Sequence, residues 1–213
     1  MAPNPAVALL LRQGLEELGS SVADRELVAT RLAELCELVH AWGQRLNLTA
    51  HRSPEAIARE LALDAVALES VIGPTASLAD IGSGAGFPGL PIAILRPDSV
   101  LTLIEARERR HHFLRHAIRT LGLSNVQALH GRAEALEPAP HACVVAQGAG
   151  PFSEVIGWML RWAMPGGRLV IPLSDRQRVD VAPKGVAEAR LVEYSVPLSG
   201  RARRAWIGVR QAT

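Results

Sequence analysis

Two cysteines, one tyrosine and a single lysine, Lys184, are all that this chain of 213 residues holds of those three types. Cys36 and Cys143 lie far apart, and neither has a second cysteine near it, which argues against both a disulfide framework and a zinc site. A reducing, cytoplasmic setting is therefore expected. Long apolar runs are also missing. The stretch Ala6 to Leu11 is too short to span a bilayer, has no basic segment before it and meets Arg12, so neither a signal peptide nor a membrane span is expected. Strong charge of one sign is absent too: the net value of +2 does not by itself announce a nucleic-acid partner. With so little lysine, the positive charge is carried by arginine, whose planar fork suits phosphates and guanine edges, although GC-rich coding produces the same bias.

What is present is an ordinary composition, 48% hydrophobic and 21% charged, enough for one substantial core, read as one domain with an extension. The first quarter is helical in pattern. Leu9, Leu10, Leu15 and Leu18 suggest one amphipathic helix; Leu27, Val28, Leu32, Leu35, Leu38, Val39 and Trp42 suggest a second, with Asp24 as N-cap. Ser53-Pro54-Glu55 opens a third that runs to about Val71 and stops at Gly73-Pro74. From Ser77 the rhythm changes. Strands are predicted at Ser77 to Ile81, Val100 to Glu105, Val126 to His130, Cys143 to Ala146 and Arg168 to Leu173, with helices from about Pro88, Arg107, Arg132 and Phe152. This alternation implies a parallel sheet covered on both faces. Two further runs, Ala189 to Val196 and Ala205 to Val209, read as an antiparallel pair closing one edge.

The stretch ADIGSGAGFPG, residues 79 to 89, places a glycine turn directly behind the first strand. Gly84, Gly86 and Gly89 satisfy the dinucleotide pattern, while Asp80 followed by Gly82, Gly84 and Gly86 also fits a different nucleotide ligand. A pyrophosphate would be opposed by a carboxylate at Asp80; the ammonium and sulfonium of S-adenosylmethionine would be attracted by it. Glu105, at the end of the second strand, can accept ribose hydroxyls from either ligand. A methyl donor is favoured on this chemistry, and a NAD-dependent oxidoreductase stays open as the alternative.

Asn47-Leu48-Thr49, Asp64, the run from Asp80 to Gly89, Asn125-Val126 with Gly131-Arg132-Ala133-Glu134, and Pro165-Gly166-Gly167, in that order, resemble the glucose-inhibited division protein B family, the ribosomal RNA small subunit methyltransferases G. The resemblance implies an α/β fold: a Rossmann-like class I methyltransferase core at 77–213, with a seven-stranded mostly parallel sheet, behind an N-terminal helical extension at 1–76. It implies S-adenosylmethionine as cofactor and methylation of a guanine N7 in 16S ribosomal RNA of the small subunit, with no metal and no membrane partner; a monomer is expected. It also implies that Gly82 and Phe87 line the cofactor and that Ala133 and Glu134 flank its adenine. Asp80, Gly84, Gly86, Glu105 and Gln147 complete the expected cofactor set.

Three positions depart from the family pattern. Gln147 stands where members usually carry arginine after the fourth strand, the stretch Ile171-Pro172-Leu173-Ser174 holds no counterpart of the lysine usual near a glycine after the fifth, and Leu61 replaces a histidine three residues before Asp64. These losses leave open a weakened or silent member that binds cofactor or RNA without efficient turnover. Guanine N7 is an unprotonated lone pair, so its methylation needs orientation and exclusion of water rather than a general base. Gln147 is the one side chain nominated for positioning substrate, by donating to guanine O6. Candidate RNA contacts are Asn47, Arg109, Arg110, Arg132, Arg203 and Arg204. The helix from Arg107 is expected to bury Leu114, Ala117, Ile118 and Leu121 and to turn its arginines and histidines outward.

Overall fold

A computed structural model describes residues 3–20, 22–174, 179 and 183–212; the outermost ends of the two expected segments, 1–2 and 213, lie outside them. Helices α1 (Pro5–Glu17) and α2 (Arg25–Leu46) lead the chain. The side-chain oxygens of Asn4 and Asp24 cap them, each accepting a backbone N–H at 2.9 Å. The apolar stripes are shifted from the expected ones. α1 buries Val7, Leu10, Leu11 and Leu15 while Leu9 is 47% exposed, and α2 buries Val28, Leu32, Leu35, Cys36 and Val39 while Leu27 is 49% exposed. Several leucines in each stretch satisfied the helical spacing, and the packing of α1 on α2 selected one arc of each.

Ser53 caps the third helical stretch as expected, accepting from Ala56 N–H at 3.2 Å. That stretch is not uniform: α3 (Pro54–Ile57) passes through a π-helical turn, Ala58–Ala62, into α4 (Leu63–Ile72), which Gly73 ends. Seven strands follow: β1 (Ser77–Ile81), β2 (Val100–Glu105), β3 (Val126–His130), β4 (His141–Ala146), β5 (Ala163–Leu173), β6 (Val186–Val196) and β7 (Arg201–Arg210). They form one sheet in the order β3-β2-β1-β4-β5-β7-β6, parallel from β3 to β5, with β7 antiparallel to both neighbours. Short helices α5 (Gly89–Leu95), α6 (Glu108–Thr120) and α7 (Phe152–Trp162) fill the crossovers.

Four strands begin earlier than expected. In β5 the reason is visible in the register: His141 pairs with Ala163 and Cys143 with Arg168, so 164–167, which holds Pro165-Gly166-Gly167, loops out of an otherwise continuous strand. The helix expected from Arg132 is absent. Ala135 and Leu136 N–H both reach the Arg132 carbonyl, but the turn stops there, because Pro138 and Pro140 cannot continue a helical ladder. In α6 the buried residues are His111, Phe113, Leu114 and Ala117, with Ile118 only partly covered, so His111 faces inward rather than outward.

One apolar cluster joins α1, α2, α4, α5 and α6 to one sheet face; a second, around Trp162 and Trp206, lies under α7 on the other. The helical extension therefore shares the core of the sheet. It is also tied to the far edge by polar bonds: Tyr194 Oη donates to Asp64 Oδ1 at 3.0 Å, Arg203 Nη2 donates to Asp64 Oδ2 at 2.8 Å, and Arg201 pairs with Glu60 at 2.6 Å. Among the described residues, no helix is long and apolar enough to cross a membrane.

Candidate functional site

β1, β2 and β4 end side by side, and the loops leaving them enclose a cavity of about 370 Å³. That volume lies within the range of small-molecule sites, and the carboxyl edge of a parallel sheet is where such sites form. The floor is made by Ile81 and Gly82 of the first loop and by Ile104 to Arg107 of the second; the walls are Arg110, Gly131 to Glu134, Gly148, Ala149 and Trp158.

Backbone bonds fix the glycine turn. Gly82 and Ser83 N–H both donate to the Ile104 carbonyl, at 2.9 and 3.1 Å, and Gly86 N–H returns to the Ser83 carbonyl at 2.7 Å. Gly82 has φ +74°, and a Cβ there would stand 3.0 Å from that of Ala149, so a side chain would be strained and would press the two loops apart. Gly89 answers a different constraint. Its N–H donates to Asp80 Oδ2 at 3.2 Å, and a Cβ on it would stand 2.6 Å from the same oxygen.

Glu105 is the hub. Oε2 accepts Gly84 N–H at 2.9 Å, Oε1 accepts Arg107 N–H at 2.7 Å, and its main-chain carbonyl accepts Gly131 N–H at 3.1 Å, so one residue sets three loops. A carboxylate has about four lone-pair sites, and two of them remain for a ligand. The turn carrying Ala133 and Glu134 is held from behind by Trp162 Nε1, which donates to the Ala133 carbonyl at 3.0 Å. Arg132 and Glu134 face one another at 3.7 Å on the rim.

The expected residues divide. Gly82, Glu105, Ala133 and Glu134 line the cavity, and Arg132 lines it as well. Gly84 and Gly86 shape the turn without forming the wall, and Phe87 packs into the apolar cluster beneath. Asp80, at 1% exposure, is not among the residues that line the cavity. Burial pushes its carboxyl up to about 7, and Oδ1 has no hydrogen-bond partner among the described residues. Gln147 is half-buried beside the site, but the wall after β4 is made by Gly148 and Ala149.

Arg110 is reassigned by geometry. It lines the cavity, with Nη1 3.6 Å from where a Gly84 Cβ would sit, and Arg107 lies beside it. An anion-friendly group therefore stands at the glycine turn, opposite in sign to what Asp80 led the sequence to suggest. Arg109 is exposed on α6, away from the wall. Asn47 is the left-handed C-cap of α2, φ 48° and ψ 50°. Arg203 is taken up by Asp64, and Arg204 sits near the ends of β5 and β6, opposite Leu173 and Glu193. Trp158 was missed in the sequence: six residues into α7, it belongs to no motif, and only the approach of α7 to the ends of the strands brings it to the wall.

The family model described as rRNA small subunit methyltransferase G matches residues 29–204. A ribosomal RNA small subunit methyltransferase G from Stenotrophomonas maltophilia is 35% identical over 202 residues, covering 92% of this chain and 92% of its own. The protein of the same name from Halorhodospira halophila is 33% identical over 184 residues, covering 85% and 88%. Among solved structures, the O-methyltransferase TomG from Streptomyces achromogenes, in complex with SAM, aligns over 94% of this chain and 97% of its own, with a TM-score of 0.56 at 16% identity. A SAM-dependent methyltransferase from Aquifex aeolicus aligns over 73% and 93%, with a TM-score of 0.55 at 17% identity. These two likenesses establish the Rossmann-like methyltransferase fold, and the sequence matches go further: the chain belongs to the rRNA small subunit methyltransferase G family.

Proposed function

We propose that this chain is an S-adenosylmethionine-dependent methyltransferase of small-subunit ribosomal RNA and that the acceptor is N7 of a guanine. The observation that carries it is the placement of Glu105, which fixes the glycine turn through Gly84 and still presents free lone pairs to a cavity of about 370 Å³ inside the segment that matches the family. The residues fit the cofactor. Ile81, Ile104, Ala133 and Trp158 give apolar walls for a purine, Glu105 accepts ribose hydroxyls, Gly82 lets backbone approach closely, and Arg110 suits a carboxylate. S-adenosylmethionine would supply an electrophilic methyl group on a sulfonium.

The chain's own groups then orient and shield. Among the described residues no histidine lines the cavity, Glu105 is held by backbone donors and Glu134 faces Arg132 on the rim. N7 of guanine carries no proton, and its alkylation asks for none to be removed. What the protein contributes is alignment and exclusion of water, worth several kcal/mol, or about 10³-fold or more in rate. Arg132 on the rim, and Arg109 on the neighbouring helix face, are suited to phosphate.

The test is transfer of labelled methyl groups to small ribosomal subunits lacking the modification and to naked 16S RNA, followed by chemical strand scission at 7-methylguanine. Labelled RNA that is cleaved at one guanine is expected. Binding of S-adenosylhomocysteine without transfer to either substrate would point to the silent reading that Gln147, the stretch 171–174 and Leu61 left open. Tight NAD binding with no affinity for S-adenosylhomocysteine would replace the proposal with an oxidoreductase.

A further inference from the structure

We infer that the groove along the last turns of α2, with Trp42 as its platform and the basic face of α6 beside it, is a docking track for unpaired RNA that leads to the cavity at the strand ends. It rests on the RNA substrate proposed above and adds where that RNA lies.

The two helices run antiparallel. Glu34, Glu37 and Ala41 of α2 share a small cavity with Thr120 at the end of α6, whereas Trp42 meets Phe113 and His116 further back along it. The indole is held firmly: its ring stands edge-on to the fully buried Phe113 at 5.7 Å and tilted against His116 at 5.2 Å. An aromatic surface fixed in this way loses little freedom when a planar group stacks on it. Around it opens a groove of about 560 Å³ lined by His40, Ala41, Trp42, Gln44, Arg45 and Leu46.

Charge gives the groove a direction. Arg109, His112, Arg115 and Arg119 are exposed on α6, and at 3.6 residues per turn they fall on one side of it, next to His116. Arg45, exposed near the end of α2, lines the groove itself. The acids within reach are Glu108 in the first turn of α6, and Glu34 and Glu37, which stand beside Thr120 and close the far end. The near end leads to the site, because Arg110, on the first turns of the same helix, lines the cofactor cavity. At 1.5 Å per residue, His116 is about 9 Å further along α6.

A ligand that satisfies this surface needs repeated anions and a flat, polarisable face. Phosphates and an unstacked base supply both. A paired duplex hides its base faces, so the track suits loops or single strands, which are the usual targets of base-stacking aromatics.

The experiment titrates the protein, saturated with S-adenosylhomocysteine, with a hairpin RNA carrying a purine-rich loop and with a fully paired duplex of equal length. Loop RNA is expected to quench tryptophan emission and to bind more tightly than duplex. Trp42→Leu should abolish most of the quenching and weaken binding about fivefold or more, and Arg45→Glu should weaken binding and flatten its salt dependence. Both variants must bind S-adenosylhomocysteine as the wild type does, which checks the fold. Loop binding unchanged in both variants would overturn the inference, as would equal quenching by duplex or Trp42-dependent binding of polyglutamate in place of RNA. If wild type binds loop RNA through Trp42 but transfers no methyl group, the proposed activity fails and the track stands.

Discussion

Gly84 donates its backbone N–H to Glu105 Oε2 at 2.9 Å, so the residue ending the second strand holds the loop that follows the first. The bond turns two separate sequence features into one site. Glu105→Gln replaces one acceptor oxygen by an NH₂ group facing an N–H donor, either at Gly84 or at Arg107. The cost of an unsatisfied buried donor is about 1–3 kcal/mol. S-adenosylhomocysteine affinity, read by calorimetry, should fall roughly tenfold or more. Unchanged affinity would mean that the turn keeps its shape without the carboxylate.

Arg110 makes a different prediction because it touches the ligand space rather than the loop's bonds. If its guanidinium serves the amino-acid carboxylate of the cofactor, Arg110→Ala should weaken S-adenosylhomocysteine about tenfold, the scale of one charge-assisted hydrogen bond. It should leave 5′-methylthioadenosine, which lacks that carboxylate, within about twofold. Equal losses for both ligands would show that the residue only shapes the pocket.

These two residues also mark what the sequence disclosed. Glu105 was legible because a short, almost wholly buried strand ends there at a fixed distance from a glycine turn, and strand length and turn chemistry are local properties. Strands β1, β2 and β3 were bounded correctly for the same reason. Arg110 was placed on RNA because a run of arginines on a helix reads as one exposed face; only the position of α6 beside the glycine turn brings Arg110 to the cavity while Arg109 stays exposed. Asp80 differs. It is the last but one residue of β1, just before the glycine loop, but its side chain lies under Gly89, within the protein.

Asp64 is a residue whose role no local pattern could disclose, since its partners are 130 and 139 positions away. It is 4% exposed and receives bonds from Tyr194 and Arg203 together. Asp64→Ala strands both donors. The expected loss is about 2–4 kcal/mol, seen as a drop of roughly 5–15 °C in Tm. Replacing all three with Leu, Phe and Leu respectively should recover much of that loss, because a buried ion pair exchanged for apolar contacts is often nearly neutral. A triple variant as unstable as the single would show that the triad itself positions α4 on β6.

Asp80 offers a pH experiment whose sign is fixed by its surroundings. Burial raises its folded-state carboxyl to about 7, while in the unfolded chain it titrates in the ordinary carboxylate range. The folded state therefore holds this proton more tightly. Its stabilising contribution is complete below about pH 4, declines as the unfolded chain ionises, and is exhausted once pH passes about 7. Asp80→Asn lacks the titration but offers the same shape and an oxygen for Gly89 N–H. Urea unfolding of both proteins from pH 4 to 8 should show the stability of wild type minus variant falling steadily up to about pH 7 and levelling beyond it. A difference that stays flat across that range would mean that Asp80 is ionised in the fold, with water or a cation at Oδ1. The carboxylate would then be available to an ammonium group after all.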